Sequence, residues 1–428
     1  MEYYVIGILI VLIVLSILIK KYIFCPAVIF SGIWLFVLSL SSQKLYGMID
    51  YSEKVIWLIL ISNISFFIGS ISNRVVSING KNPYNKYREQ YSINSFFVWC
   101  CIAISAVCLG FFGIKVLQLL SSGIPYSRIR DMLFGYQDVD KIIKNGIFMN
   151  FFQWIIAGIV NALMPICLVE LFENNKHKLF IILGLSIVIA YTLATAGRIT
   201  VFLLVIYLSL LLYHYHQRLS KRVKKLALFV IVSGGLLLFL ISSLREGYNK
   251  GKQVSSAYSY FTICIPLLSH WIEYVDYNHI HTYGLSLVYG IVELLQWGLH
   301  ALDLSLPGIE WLREAINAPQ NTWITVFTNP RGWYNAFCSA IYFWYLDFGY
   351  IGTIVIPLVL GFISNNIFLK ITMLNNKKSI FYYLLIIQLL VTSFLRFQTI
   401  TPSYFVSIII VAFAIKRELV NNPHSYIG

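Results

Sequence analysis

The chain is 428 residues long, 58% hydrophobic and only 12% charged, with a mean hydropathy of +0.75, whereas soluble globular chains carry about 25% charged residues. Its net charge of +14 sits between apolar runs rather than along one face, which marks membrane topology and argues against a nucleic-acid partner. The cysteines show no C-x-x-C spacing and lie mostly in apolar runs, so they imply neither a metal site nor a disulfide framework.

Apolar runs recur that are long enough to cross a ~30 Å hydrocarbon core, which takes roughly 20 helical residues. Unbroken runs of this kind mean helices, because lipid leaves no partner for an unpaired backbone group. The sequence predicts an all-α polytopic membrane protein, one membrane domain over 1–428. Eleven spans are expected, near 4–19, 27–40, 55–72, 96–120, 147–171, 179–196, 199–213, 226–244, 350–369, 380–395 and 404–415. The first run is followed by Lys20 and Lys21 instead of a small-residue cleavage site, the order of a retained helix rather than a signal peptide.

Lysine and arginine accumulate on alternate connections, at Lys20 and Lys21, Arg74 to Arg88, Lys176 and Lys178, Arg218 to Lys225, Lys370 to Lys378, and Lys416 and Arg417. By the positive-inside rule these face the cytoplasm. Eleven spans then put the N-terminus outside and the C-terminus inside. Two longer connections fall on the outer side, a first loop over 121–146 and a large one over 245–347. The large loop is rich in aromatics, unlike disordered segments, and is expected to be an ordered extracytoplasmic cap. Within it, Glu293, Gln296, His300 and Asp303 recur three, four and three apart in 285–304. On a helix that is one polar stripe on an apolar rod. Two readings stand: a helix lying on the membrane or docked on the bundle, or a buried helix lining a polar cavity.

No Walker, dinucleotide, zinc-protease or nucleophile-elbow pattern is present. His279 and His281 are two apart, on opposite sides of a helix. Chemistry independent of metals and nucleotides is expected, with no cofactor. Arg198, in TAGRIT between two apolar runs, sits at membrane depth, where arginine normally faces a cavity, a partner or an anion; the alternative is an interfacial anchor. Arg245, Arg128, Arg130 and Arg331 also fall on the outer side. Several guanidiniums on one outer cavity suit a diphosphate, because the planar fork matches phosphate oxygens. Tyr334, Asn335, Tyr342, Trp344 and Tyr345 crowd one stretch, readable either as an interfacial belt or as a wall for sugars, which offer an apolar face and a polar rim.

That stretch, Arg331–Gly352 (RGWYNAFCSAIYFWYLDFGYIG), resembles the bacterial oligosaccharide repeat unit polymerases of the Wzy type. Their pattern there is an asparagine, a polar-aromatic run, D-F-G and then x-x-G, met by Asn335, Asp347, Phe348, Gly349 and Gly352. The TAGR step with Arg198, the SGIPYSRIR opening of the first outer loop and the eleven-span plan also look like that family. The resemblance implies transfer of a glycan from an undecaprenyl diphosphate carrier to another carrier-linked repeat unit, at the outer face of the bacterial inner membrane, in O-antigen or capsule synthesis. A flippase and a chain-length regulator would be its partners. Arginines would steady the charge developing on the diphosphate. A carboxylate or histidine would take the acceptor's proton, with Glu273, Asp276, His279, Asp303 and Asp347 as candidates. An O-antigen ligase is the neighbouring alternative, and a lipid-linked oligosaccharide flippase the alternative of another class.

Overall fold

The computed structural model describes residues 1–72, 87–125, 146–173, 178–195, 197–216, 254–300, 302–374 and 376–421, together with scattered positions in 128–132 and 221–236. Seven of its helices are long and apolar enough to cross a membrane, by length and composition. The chain divides into two compact units, one of Met1–Arg88, Lys252–Thr401 and Val420–Gly428, the other of Glu89–Gly251 and Pro402–Leu419.

The first unit opens with α1 (Glu2–Lys20), α2 (Pro26–Ser41) and α3 (Glu53–Ser70). These are the apolar runs read from the sequence, α1 and α2 extended by a residue or two at each end and α3 shifted two residues earlier. Lys20 donates to the carbonyl of Ser72, and the Tyr383 hydroxyl donates to the Phe24 carbonyl at 2.6 Å. One end of this unit therefore gathers Lys20, Lys21 and the lysines that follow Ile371.

The second unit holds α4 (Ser95–Ser121), α5 (Gly146–Glu173), α6 (Lys178–Thr195) and α7 (Arg198–Tyr215). A single π-helical turn over Phe151–Ile156 and Pro165 interrupt α5. Rings of α4, α5 and α6 stack in series, Phe112 on Phe152 at 4.5 Å and Phe152 on Tyr191 at 5.8 Å. Strands β1 (Tyr87–Ile93) and β4 (Ile415–Asn421) pair as a ribbon, so the all-α expectation holds for the helices but not throughout. Most of the expected span near 226–244 lies outside the described residues.

The expected cap is built from α8 (Ser256–Thr262), α9 (Cys264–Asn278), α10 (Tyr289–His300), α11 (Ile309–Asn321) and a hairpin of β2 (Ile324–Thr328) and β3 (Arg331–Tyr334). The hairpin is antiparallel, Ile324 facing Tyr334 and Thr328 facing Arg331. It is clasped by the α2–α3 connection: Ile49 N–H donates to the Val326 carbonyl at 3.0 Å, and the Thr328 hydroxyl to the Gly47 carbonyl at 2.8 Å. Phe327 is buried there among Tyr46, Tyr258 and Tyr334.

Helix α10 corrects the longer helix expected over 285–304. Twelve residues at 1.5 Å each make about 18 Å, too short to cross a bilayer. The first half of its stripe points inward, Glu293 and Gln296 being buried while His300 and Asp303 are exposed, and Arg313 of α11 grips Glu293 through Nε at 2.8 Å and Nη2 at 3.1 Å. Gln296 accepts the Leu306 N–H at 2.8 Å. Leu295, by contrast, is 58% exposed and Ile291 lies outward with it. A soluble amphipathic helix does the reverse, and this polarity fits a helix whose outer face meets lipid.

The cap ends at Cys338, short of the expected boundary at 347. From Ser339 the chain is already in α12 (Ser339–Thr372), which is followed by α13 (Lys377–Val391) and, in the second unit, α14 (Pro402–Ala414). Helix α12 lies very close to α3. A Cβ added to Gly361 would stand 2.3 Å from the Phe66 carbonyl oxygen, and one on Gly69 2.0 Å from that of Leu358. The Ser62 hydroxyl donates to the Thr353 carbonyl at 3.2 Å, and Asn365 to that of Ser72 at 2.7 Å. Small residues allow this approach, and backbone-directed polar bonds hold it in an apolar setting.

Candidate active site

The break in α12 positions everything around it. Phe348 and Gly349 leave helical geometry, Gly349 at φ 57° and ψ −137°, the mirror image of the extended region, which glycine adopts readily and other residues hardly at all. Gly352 packs on the inside of the bend, where a Cβ would come within 1.9 Å of the Trp344 carbonyl oxygen. The D-F-G-x-x-G pattern thus encodes a kink.

A kink strands carbonyls, and the loop 281–286 before α10 takes them up. Thr282 N–H donates to the Leu346 carbonyl at 3.0 Å and Tyr283 N–H to that of Asp347 at 3.2 Å. The Asp347 carboxylate returns the grip. Its Oδ1 accepts from the Thr282 hydroxyl at 2.5 Å and from the N–H groups of Gly284 and Ser286 at 3.0 and 3.1 Å. Its Oδ2 accepts the Ser286 hydroxyl at 2.6 Å. With no exposed surface and four donors, Asp347 is a latch, and this geometry takes it out of the candidates for a proton acceptor.

Asp276 is placed differently. It stands in the last turn of α9 with its side chain 43% exposed and paired with Lys54 at the start of α3. The Tyr345 hydroxyl donates to Asp276 Oδ1 at 2.6 Å and accepts from Lys54 Nζ at 2.8 Å. The ammonium also lies over the rings of Tyr345 and Tyr350, 4.8 and 4.9 Å from their centroids, an added cation–π attraction. Carboxylate, ammonium and phenol form a closed triangle.

Glu273 is one turn earlier on α9. It accepts the Ser269 hydroxyl at 3.4 Å, and Ser269 in turn accepts the Ser52 N–H at 2.9 Å. His270 shares that helix, its imidazole held below the ordinary value by burial, an effect that the nearby Glu273 opposes. His279 is exposed and closes α9 in the left-handed region at φ 50°. The end of α9 and the start of α3 thus bring Asp276 and Lys54 together, with Glu273 one turn back and joined through Ser269 to Ser52. Asp303 lies exposed in the turn after α10 and forms no ion pair among the described residues.

The expected aromatic wall is corrected in part. Tyr342, Trp344 and Tyr345 are buried in the core, because α12 begins at Ser339 and turns this run into a packed helix. The Tyr342 hydroxyl is spent on the Ala315 carbonyl at 3.0 Å. Asn335 uses its amide on the Gln320 carbonyl at 2.6 Å, and Tyr334 packs edge-on against Phe327. These are cap-building roles.

Of the arginines, Arg331 is exposed with its guanidinium 4.6 Å over the Trp333 ring. Arg198, half-buried, is the first residue of α7, after a turn in which Gly197 N–H donates to the Thr192 carbonyl at 3.1 Å. Arg128 is exposed. Arg130 and Arg245 lie outside the described residues. Lys54 and Arg313 were not singled out in the sequence. Lys54 reads there as a charge flanking a span, and its partner is 222 residues away.

No family model, curated protein or solved structure matches this chain.

Proposed function

We propose that the chain is an oligosaccharide repeat unit polymerase that works on undecaprenyl-diphosphate-linked glycans at the outer face of a bacterial inner membrane. The observation that carries the chemistry is the Asp276–Lys54–Tyr345 triangle at the meeting of α9 and α3. Of the five expected acid–base residues, Asp276 is the carboxylate that combines exposure with fixed orientation by two partners. A positioned base of this kind supplies about 10²–10⁴-fold in rate.

In the reaction, the acceptor hydroxyl oxygen bonds to the donor's anomeric carbon as the bond from that carbon to the diphosphate breaks. Asp276 takes the hydroxyl proton, and the lipid diphosphate leaves with the electron pair. Tyr345 and Lys54 hold the carboxylate in place. Arg331 is the arginine of the first unit assigned to the diphosphate, where fixed positive charge lowers the barrier most; Arg198, in the other unit, is a separate candidate for a diphosphate contact. The leaving group arrives already activated, so neither a nucleotide nor a metal enters this scheme.

A strain lacking the protein tests the reading. It should display a single glycan repeat with the ladder of longer chains missing. Loss of all surface glycan points instead to the ligase or flippase alternative.

A further inference from the structure

Helix α10 is built inside out. Glu293 and Gln296 face the protein, whereas Val288 at its entry, Ile291 and Leu295 are exposed. Their spacing of three and four puts these apolar residues on one face, and exposed Leu285 and Leu302 extend the face at either end. Glu293 is the one charged residue between those two leucines, and it is buried. On the inner side the backbone itself makes the contact. A Cβ on Gly290 would stand 2.7 Å from the Thr401 carbonyl oxygen and 2.8 Å from that of Thr399.

The depth of α10 follows from α12. Beyond its break, Tyr350–Thr372 is about 34 Å long at about 1.5 Å per residue, against a hydrocarbon core of about 30 Å. Lys370 in the last turn marks the far edge, so the break stands at the near edge. There the two apolar surfaces meet. A Cβ on Gly284 would lie 3.3 Å from the ring of Phe348, which is itself exposed, and the exposed face of α12 runs on through Ile351, Val355 and Phe362. Soluble surfaces rarely leave so long an apolar band uncovered. Trp311 at the start of α11 is exposed as well, and tryptophan collects at membrane–water boundaries.

We propose that α10 is the membrane-docking element of the cap, lying in the bilayer plane with Val288, Ile291 and Leu295 among the acyl chains just beneath the headgroups. Its outer face continues the lipid-facing surface of α12 around the break, which commits it to lipid rather than to a second protein. Tyr350 carries one of the rings beneath the Lys54 ammonium, so the Asp276 triangle lies at the same headgroup depth. The placement does not depend on the reaction assigned to that triangle.

The test is fluorescence of bimane attached to the purified full chain in phosphatidylcholine nanodiscs, at Leu295→Cys and, separately, at Glu314→Cys on α11. Both positions are exposed, so neither change removes a packed side chain, and labelling of the unmodified chain gives the background of the native cysteines. The quenchers are phosphatidylcholine carrying a nitroxide high on its acyl chain, the same lipid carrying it near the chain end, and iodide in the water. The shallow nitroxide should quench the Leu295→Cys label at least about threefold more than the Glu314→Cys label, and more than the deep nitroxide does, while iodide should favour Glu314→Cys. Equal iodide quenching of the two labels means that the stripe meets water and overturns the proposal. Stronger quenching of Leu295→Cys by the deep nitroxide means a helix that enters the core and overturns the in-plane placement. Quenching of Leu295→Cys by none of the three means that another protein surface covers the stripe, a second copy included, and overturns the lipid assignment.

Discussion

Ser286 is bonded twice to Asp347, through its N–H at 3.1 Å and its hydroxyl at 2.6 Å, one to each carboxylate oxygen. This pair of hydrogen bonds fastens the approach to α10 onto the kink of α12, and with it the inner edge of the cap. Hydrogen bonds to a charged group contribute roughly 1.5–3 kcal/mol each, and a buried donor left unpaired costs about 1–3 kcal/mol.

Asp347→Ala should therefore destabilise the protein by several such increments. Asp347→Asn, which keeps the shape but not the charge, should cost less. Gly349→Ala should cost about 1–3 kcal/mol, because its φ 57° with ψ −137° is a backbone conformation open almost only to glycine. Thermal unfolding of the purified variants measures all three. A stable Asp347→Ala protein with wild-type protease resistance in the cap contradicts the latch.

Arg313 and Glu293 make a second, separable prediction. Breaking a fully buried pair by removing one partner costs about 3–5 kcal/mol. The Arg313 side chain is 36% exposed, so Arg313→Ala should fall below that range. Replacing both by residues of similar shape, Glu293→Gln with Arg313→Met, should recover part of the loss. A double-mutant cycle on cap proteolysis reads the coupling, and a coupling of zero means the stripe of α10 is not held by this pair.

Arg198 tests the diphosphate side of the account. Arg198→Ala should abolish chain extension at normal protein abundance, and Arg198→Lys should retain part of it through charge alone. If both variants extend glycans normally, Arg198 is an interfacial anchor.

The helices were legible because an apolar run in lipid has few options other than a helix. Their observed ends fall within a few residues of the expected ones, Glu53–Ser70 against 55–72 for instance. Helix α12 was the exception. Its first turns, Ser339–Asp347, carry tyrosine, tryptophan and aspartate, and such residues read as cap rather than core. The tyrosines and the aspartate are core because their polar ends are met by tertiary partners, Tyr342 by Ala315, Tyr345 by Asp276 and Asp347 by Ser286, while Trp344 packs against Phe30 and Phe397.

The candidate site was half legible for the same reason. Glu273 and Asp276 stand out as acids in an aromatic-rich loop, but what separates them is Lys54, contributed by a distant helix start. The stripe on α10 was visible as spacing, while its direction depended on Arg313. The kink was encoded in Gly349 and Gly352, although the sequence shows only a D-F-G-x-x-G pattern and not the carbonyls it frees.

The most direct measurement is chain extension by the purified protein supplied with undecaprenyl-diphosphate-linked repeat units, with products resolved by length. The wild type should build a ladder, Asp276→Asn should lose it by at least a hundredfold in rate, in keeping with loss of a positioned base, and Tyr345→Phe should extend more slowly. A wild type that builds no ladder from this substrate, or an Asp276→Asn protein that extends as fast as the wild type, contradicts the account.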